Sequence, residues 1–378
     1  MDIKTNPFAF GKIVKGKQFF NRKQEITELM VEINNHQNII LYAPRRYGKT
    51  SLVLKTFEDL SKKQRNFEWL YIDFFQVNSI DKFISIMSNE YAAHSKLSLE
   101  KLLNSLKNIL KGITPAITLD KDGNPKIEVS ISPGNRDSVF EDVMKLPQKL
   151  VRDGKLVAVF FDEFQEVNNL NGFEFQKILR SVIQHQNKVC YIFCGSKHHL
   201  FQNIFNDPNN PLFKAGKTKY LNVIPEKEYS SFIYKHFIKI KNDFTKDDAK
   251  SIYHLAGSIP YNIQLLCSEI YNLVLINKNL VINEIINQGY NNVLNSKNEE
   301  YIILYENMSK SVRLAIEMVI KNDGKHLFNN ELLSDFRVAP STLKKSLDKL
   351  IRDGILFREN KNYLFQDIFF KKWLEIRI

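Results

Sequence analysis

Three cysteines in 378 residues, Cys190, Cys194 and Cys267, are too few for a disulfide framework or a cysteine-based zinc site. Their scarcity fits a reducing, cytoplasmic setting. Glycine (14) and proline (11) are also scarce, which excludes fibrous and linker-dominated architectures. No run approaches the roughly 18 uninterrupted apolar residues that cross a bilayer, and the opening residues lack the apolar segment of a signal peptide. No membrane partner is therefore expected. Core-forming material is plentiful instead, with 43% hydrophobic and 12% aromatic residues. At roughly 100–200 residues per domain, two or three domains are expected. The net charge of +12 by itself favours anionic partners such as nucleotide, nucleic acid or a membrane surface.

Hydrophobic spacing predicts a helix from Lys23 to Asn34, with Ile26, Leu29, Met30 and Ile33 on one face. Asn38–Tyr42 follows, an apolar run without alternation, as suits a strand buried on both faces. Further strands are expected at Trp69–Phe75, Leu156–Phe161, Val189–Cys194 and Tyr220–Ile224. Helices are expected between them, at about Lys49–Leu60, Ile80–Leu110, Asp137–Asp153 and Phe173–Gln186. This alternation predicts an α/β fold with a parallel sheet over residues 1–225. Residues 112–135 interrupt it and read as an inserted hairpin turning at Asp120–Pro125. Residues 226–295 are helical, with a break at Gly257-Ser-Ile-Pro260. Residues 308–378 read as three helices and a hairpin, the pattern of a winged helix.

Ala43-Pro-Arg-Arg-Tyr-Gly48-Lys49-Thr50 joins the first strand to a helix and matches the phosphate-loop pattern G-x-x-x-x-G-K-[ST], with Ala43 in place of the first glycine. Gly48 lets backbone N–H groups curl around phosphate oxygens. The following helix start adds partial positive charge. Lys49 supplies an ammonium for the outer phosphates, and the Thr50 hydroxyl can ligate Mg²⁺. Arg45 and Arg46 can contact phosphate or a neighbouring subunit, or remain solvated.

Asp162-Glu163 ends the most apolar strand. In phosphoryl chemistry Asp162 would hold the Mg²⁺ shell and Glu163 would polarise the attacking water. Ser196 ends the next strand. If that strand lies between those leading to Lys49 and Asp162, its hydroxyl faces the γ-phosphate or the attacking water; capping of a helix from Lys197 is the other reading, and the two are compatible. Asp73 reads as a cap or salt-bridge partner at least as well as a catalytic group. Cys190 and Cys194 share one strand face and read as core. Adjacent His198 and His199 cannot share one metal ion on a helix, so a zinc site is not expected.

Residues 310–378 carry 14 Lys and Arg against 9 Asp and Glu, a net +5. The third helix there buries Leu343, Leu347, Leu350 and Ile351, leaving Thr342, Lys344, Lys345 and Lys349 toward solvent. Those lysines suit phosphate contacts with DNA, while protein docking is the equal alternative.

Phe19-Phe20-Asn21-Arg22 with Glu25, Tyr42–Ser51, Phe161-Asp-Glu-Phe-Gln-Glu166 and Phe193-Cys-Gly-Ser-Lys197 together resemble the archaeal-type ATPases of the AAA+ superfamily, relatives of the STAND and origin-recognition ATPases. The resemblance implies a P-loop sheet in the order 5-1-4-3-2 of the ASCE class, a helical lid over 226–300 and a C-terminal winged helix. It implies ATP or ADP with Mg²⁺ as ligands. The nucleotide would lie against Arg22, Ala43, Pro44, Arg45, Arg46, Tyr47, Gly48, Lys49, Thr50 and Ser51 and, through the Gly-x-Pro signature of the lid, Pro260. The Walker A lysine would be Lys49, with Asp162 and Glu163 as the Walker B pair, Ser196 as sensor, and Thr50 and Asp162 on the metal. Two features depart from the family: no arginine stands near 257–264, and Lys214 and Lys217 occupy the stretch where relatives often carry an arginine finger. The expectation is a slow, Mg²⁺-dependent ATPase, a nucleotide-driven switch acting on DNA, a protein partner or a homo-oligomer. The alternatives are a STAND-like switch that retains ADP, and a DNA-binding regulator with a vestigial nucleotide site.

Overall fold

Residues of the central strands point alternately to two covered faces, which is why their sequences are apolar without alternation. The computed structural model describes all residues except 1–4, 15, 96–98, 120–122, 124, 133, 153, 171, 197, 278 and 279. The chain divides into two compact units, Lys15–Asn222 and, with the stretch before Lys15, Val223–Ile378.

The first unit runs α1 (Lys23–Asn34), β1 (Ile39–Tyr42), α2 (Lys49–Lys63), β2 (Phe67–Asp73), α3 (Ile80–His94), α4 (Leu99–Ile109), β3 (Ile113–Leu119), β4 (Pro125–Ile131), α5 (Arg136–Met144), α6 (Leu146–Arg152), β5 (Leu156–Asp162), α7 (Gly172–Ile183), β6 (Val189–Gly195), α8 (His198–Asn206) and β7 (Lys217–Tyr220). Five strands form a sheet in the order β2-β5-β6-β1-β7, every pair parallel. Val157, Val159, Phe161, Tyr191 and Phe193 face a core with α3, α5 and α7. Ala158, Phe160, Cys190, Ile192 and Cys194 face the opposite core, with Leu29 and Ile33 of α1 and Leu52, Val53 and Phe57 of α2. Both strand cysteines are thus free, buried core residues.

Parallel pairing brings the strand ends into line. Tyr42 lies opposite Gly195, and Asp73 opposite Asp162. A side chain at Gly195 would meet the ring of Phe201 at 2.2 Å, so the end of β6 has room only for glycine. The expected hairpin is present as β3 and β4, paired antiparallel. Asn89 of α3 clasps it: its amide donates to Ile127 O at 2.7 Å and accepts from Ile127 N at 2.8 Å. Most of the turn expected at 120–125 lies outside the described residues.

Some boundaries differ from expectation. The last sheet strand is Lys217–Tyr220 and not Tyr220–Ile224. Pairing with β1 sets this register, and the strand is polar because it is an edge. Strand β2 ends at Asp73, whose carboxylate accepts from Phe75 N and turns Phe74–Gln76 into a 3₁₀ helix. This is the capping reading of Asp73. The long helix expected over Ile80–Leu110 is divided between α3 and α4.

The second unit contains α9 (Glu226–Phe237), α10 (Lys246–Leu255), α11 (Pro260–Ile276), α12 (Ile282–Ser296), α13 (Asn298–Glu306), α14 (Lys310–Lys321), α15 (Asn330–Asp335), α16 (Pro340–Arg352), β8 (Leu356–Glu359), β9 (Asn362–Phe365) and α17 (Ile368–Arg377). Helix α16 buries Leu343, Leu347 and Leu350 as expected, with Ser346 beside them, whereas Ile351 is only half-buried. Helices α13 and α17 were not expected. They pack together: Trp373 Nε1 donates to Asn298 Oδ1 at 3.0 Å, and Tyr301 Oη to Asp367 Oδ2 at 3.1 Å.

The stretch before Lys15 belongs here and not with the sheet. Asn6 Nδ2 donates to Ser268 O at 2.9 Å and Asn272 Oδ1 at 2.9 Å, and Ala9 N to Gln264 Oε1 at 3.0 Å. Phe8 is buried among Phe232, Phe237 and Tyr271.

Phe161 is fully buried between aromatic neighbours, whereas Leu119 on the hairpin is 70% exposed. Phe161→Ala is expected to destabilise the sheet unit by about 3–5 kcal/mol. Leu119→Ala should stay within about 0.5 kcal/mol. Denaturant unfolding of both variants against the unaltered protein checks this.

Candidate nucleotide site

The loop between β1 and α2 is shaped by two left-handed residues, Arg46 at φ 70° and Gly48 at φ 85°. Nothing lies within 4 Å of a side chain built at Gly48, so the glycine answers to backbone conformation and not to crowding. Gly48 is the N-cap of α2 and offers no side-chain cap, so the first N–H groups of this 15-residue helix stay available to a ligand. Ala43 is fully buried in the core beneath the loop, which is why a methyl serves where the pattern has glycine. Pro44 is buried beside it, Tyr47 packs partly against the same core, and Ser51 continues α2. Arg45 is exposed, its guanidinium 6.0 Å from the ring centre of Phe75.

Lys49 points inward. Its ammonium donates to Ala43 O at 2.9 Å and Pro44 O at 3.2 Å. Burial pulls it below the ordinary lysine range, while Glu163 and Asp162 pull the other way. An anion bound at the loop would favour the charged form.

Thr50 Oγ1 donates to Asp162 Oδ2 at 2.5 Å, tying the start of α2 to the end of β5. Burial raises Asp162 to about 6; the Thr50 bond and Lys49 oppose the rise, and neighbouring Glu163 adds to it. Tyr71 Oη also lies 3.5 Å from Asp162 Oδ2. Glu163 sits just beyond the strand with φ 47°. Its Oε2 accepts from Ser196 Oγ at 2.7 Å and from Gln165 Nε2 at 2.5 Å.

Strand β6 lies between β1 and β5, which sets Ser196 between the loop and the acidic pair. Its hydroxyl engages Glu163. Lys197 and the side chains of His198 and His199 lie outside the described residues, and with them the helix-cap reading of Ser196 and the expected lack of a zinc site. Among the described residues no cluster of three or more His, Cys, Asp or Glu could hold a metal by itself. The hydroxyl of Thr50 and the carboxylate of Asp162 are instead a pair of hard oxygen donors, the partial set that suits Mg²⁺ shared with phosphate.

Arg22 is the N-cap of α1, in left-handed conformation. Nη1 donates to Glu25 Oε1 at 2.7 Å, while buried Nη2 has no hydrogen-bond partner among the described residues. Pro260 opens α11 in the other unit, where its carbonyl accepts from Tyr229 Oη at 3.4 Å. Lys344, Lys345 and Lys349 are exposed on α16, also in that unit. Lys217 of the stretch after β6 pairs with Glu32 at 2.5 Å.

Sequence reasoning passed over Gln165 and Tyr71. Gln165 could have been found from its position two residues after Glu163, on the turn that leaves the strand end. Tyr71 had no local signal, since it arrives by strand pairing.

Residues 19–266 match the sequence model of the family described as an ATPase domain predominantly from Archaea. An ATP-binding protein of Methanocaldococcus jannaschii is 24% identical over 276 residues, 67% of this chain and 74% of its own. Among solved structures, the Walker-type ATPase PABY2304 of Pyrococcus abyssi is similar with a TM-score of 0.66 at 16% identity, covering 98% of this chain and 99% of its own. The ADP form of the ORC2 protein of Aeropyrum pernix has a TM-score of 0.55 at 12% identity, covering 98% and 95%. At these identities the two structures speak for the fold alone. No helix among the described residues is long and apolar enough to cross a membrane.

The raised Asp162 gives a pH dependence with a definite sign. Between pH about 4 and 6 the folded protein holds a proton that the unfolded chain has released, so this group's contribution to stability falls as pH rises through that window. Without nucleotide or metal, the stability gain of Asp162→Asn over the unaltered protein should grow by on the order of 2 kcal/mol from pH 4 to pH 7. Paired denaturant titrations at the two pH values measure it.

Proposed function

This chain belongs to the family of ATPase domains found predominantly in Archaea, and from that premise we propose that it is an AAA+ ATPase that hydrolyses ATP slowly, with Mg²⁺, as a nucleotide-driven switch. The observation that carries the reading is the convergence of Lys49, the Thr50–Asp162 contact and the Glu163–Ser196 contact at one sheet edge.

The β- and γ-phosphates take the N-terminus of α2 and the Lys49 ammonium, which trades two neutral carbonyl partners for charged oxygens. Nη2 of Arg22, unpaired among the described residues, is a buried donor that suits a nucleotide acceptor. Arg45, Arg46 and Tyr47 flank the phosphates. Thr50 and Asp162 would hold Mg²⁺, which supplies charge neutralisation on the phosphate oxygens. Glu163 accepts a proton from the attacking water as the water oxygen bonds to the γ-phosphorus. The bond from that phosphorus to the β–γ bridging oxygen breaks, and ADP and inorganic phosphate result, with the proton passing later to solvent. Ser196, hydrogen-bonded to the base, acts as sensor of the phosphate.

Counted among its own members, the sheet order reads 5-1-4-3-2, which supports the ASCE reading. We read residues 226–300 as a lid and α14–α16 with β8 and β9 as a winged helix. Slow turnover is favoured by lysines at 214 and 217, the second engaged with Glu32. The exposed Lys344, Lys345 and Lys349 favour duplex DNA over a protein partner as what the switch contacts.

Lys49→Ala is expected to abolish ATP binding in equilibrium titrations. Glu163→Gln should retain binding while phosphate release falls by at least about a hundredfold. Full ATP affinity in Lys49→Ala would refute the site. Neutralising Lys344, Lys345 and Lys349 together should weaken duplex binding and reduce its salt slope by about 2–3. Fluorescence anisotropy across a salt series measures that slope.

A further inference from the structure

Gln165 is the one member of the Glu163 cluster for which the reaction described above has no use. It is 1% exposed, in the 3₁₀ helix Phe164–Leu170 that follows the acidic pair. Its amide donates twice and accepts once, the weaker donation being a 3.5 Å contact of Nε2 with Glu166 Oε1. Nε2 donates to Glu163 Oε2 at 2.5 Å, and Oε1 accepts from the backbone N–H of Ser196 at 3.3 Å. The contact with Ser196 fixes the amide orientation, because a backbone N–H can only face the oxygen. Nε2 therefore delivers a donor to the Glu163 carboxylate.

We propose that Gln165 is a positioning residue for ATP hydrolysis: its amide clamps Oε2 of Glu163 to the end of β6 and leaves Oε1 to receive the proton of the attacking water. The inference rests on the hydrolysis reading given above. Glu163 needs such a clamp for three reasons. Its backbone is left-handed at φ 47°, beyond the last strand residue, so strand pairing does not hold it. Its Oε2 already receives Ser196 Oγ at 2.7 Å, and one short hydroxyl contact leaves the carboxylate free to rotate about its last bond. A second donor on the same oxygen removes that rotation. Among the described residues no hydrogen bond engages Oε1, so the clamp also decides which oxygen is available. Because Gln165 holds the Ser196 backbone while Ser196 holds Glu163, a displacement of the β6 end is passed to the base through two routes.

The test compares Gln165→Met, near in volume but without the amide, and Gln165→Asn, which keeps both polar groups and is one methylene too short to span them. Steady-state phosphate release gives kcat and KM, and equilibrium titration with ADP gives affinity without turnover. In both variants kcat is expected to fall about ten- to a hundredfold, with KM and ADP affinity within about twofold of the unaltered protein. A nucleotide-free crystal structure of Gln165→Met should show the Glu163 carboxylate turned away from its contact with Ser196. If Gln165→Met does not fold, as judged by its thermal transition, Gln165→Asn carries the same expectation in all three measurements. Turnover at the original rate in a folded variant overturns the role of Gln165 alone. Loss of ADP affinity in step with kcat also overturns it, since that is the pattern of a general structural defect. Absence of ATP turnover in the unaltered protein overturns the hydrolysis reading and this role with it.

Discussion

Thr50 and Asp162 lie 112 positions apart in sequence, and the hydrogen bond between them is where the two halves of the site become one. Thr50 stands on the first turn of a helix and Asp162 on the last residue of a strand two places away in the sheet. Their meeting requires that β1, β6 and β5 be parallel and end at one level. That alignment follows from the registers Tyr42 to Gly195 and Phe161 to Phe193. The buried charges then constrain one another. Lys49 is stripped of water, Asp162 is pushed toward its neutral form, and each moderates the other's penalty. Such an arrangement is costly unless something of complementary charge completes it, which is why it reads as a site and not as a structural ion pair.

The aromatic packing beneath the site keeps it in place. Phe161 touches Phe74, Phe83, Phe164, Tyr191 and Phe193, so the residue before Asp162 cannot shift without disturbing several rings. Phe164, just after Glu163, is wedged against Phe74 and Phe193. The acidic pair is therefore bracketed by two anchored rings. The interior is close-packed, and small displacements meet steep resistance.

Much of this was legible in the chain itself, for identifiable reasons. The inner strands announce themselves because both faces are covered, so Leu156–Phe161 and Val189–Cys194 are unbroken apolar runs. The phosphate loop was legible because its chemistry demands particular residue types at fixed spacing. The edge strand Lys217–Tyr220 was misplaced, since an edge is polar and its limits come from pairing with Ile39–Tyr42. Helices α13 and α17 went unread: their polar residues, Asn298 and Asp367 among them, are occupied in holding each other's side chains. The bond between Gln165 and Ser196 spans 31 positions, and only the fold brings them together.

The stretch before Lys15 is bound to residues that come some 255 positions later, as in the bond of Ala9 to Gln264. During synthesis those partners leave the ribosome only after the sheet unit Lys15–Asn222 is complete, long after Phe8 itself has emerged. At about 5–20 residues per second the wait is on the order of tens of seconds, during which Phe8 must stay solvated or be shielded by a chaperone. A nascent chain halted before Gln264 would hold a finished sheet and a loose stretch around Phe8 and Ala9, open to proteases until α9 and α11 arrive.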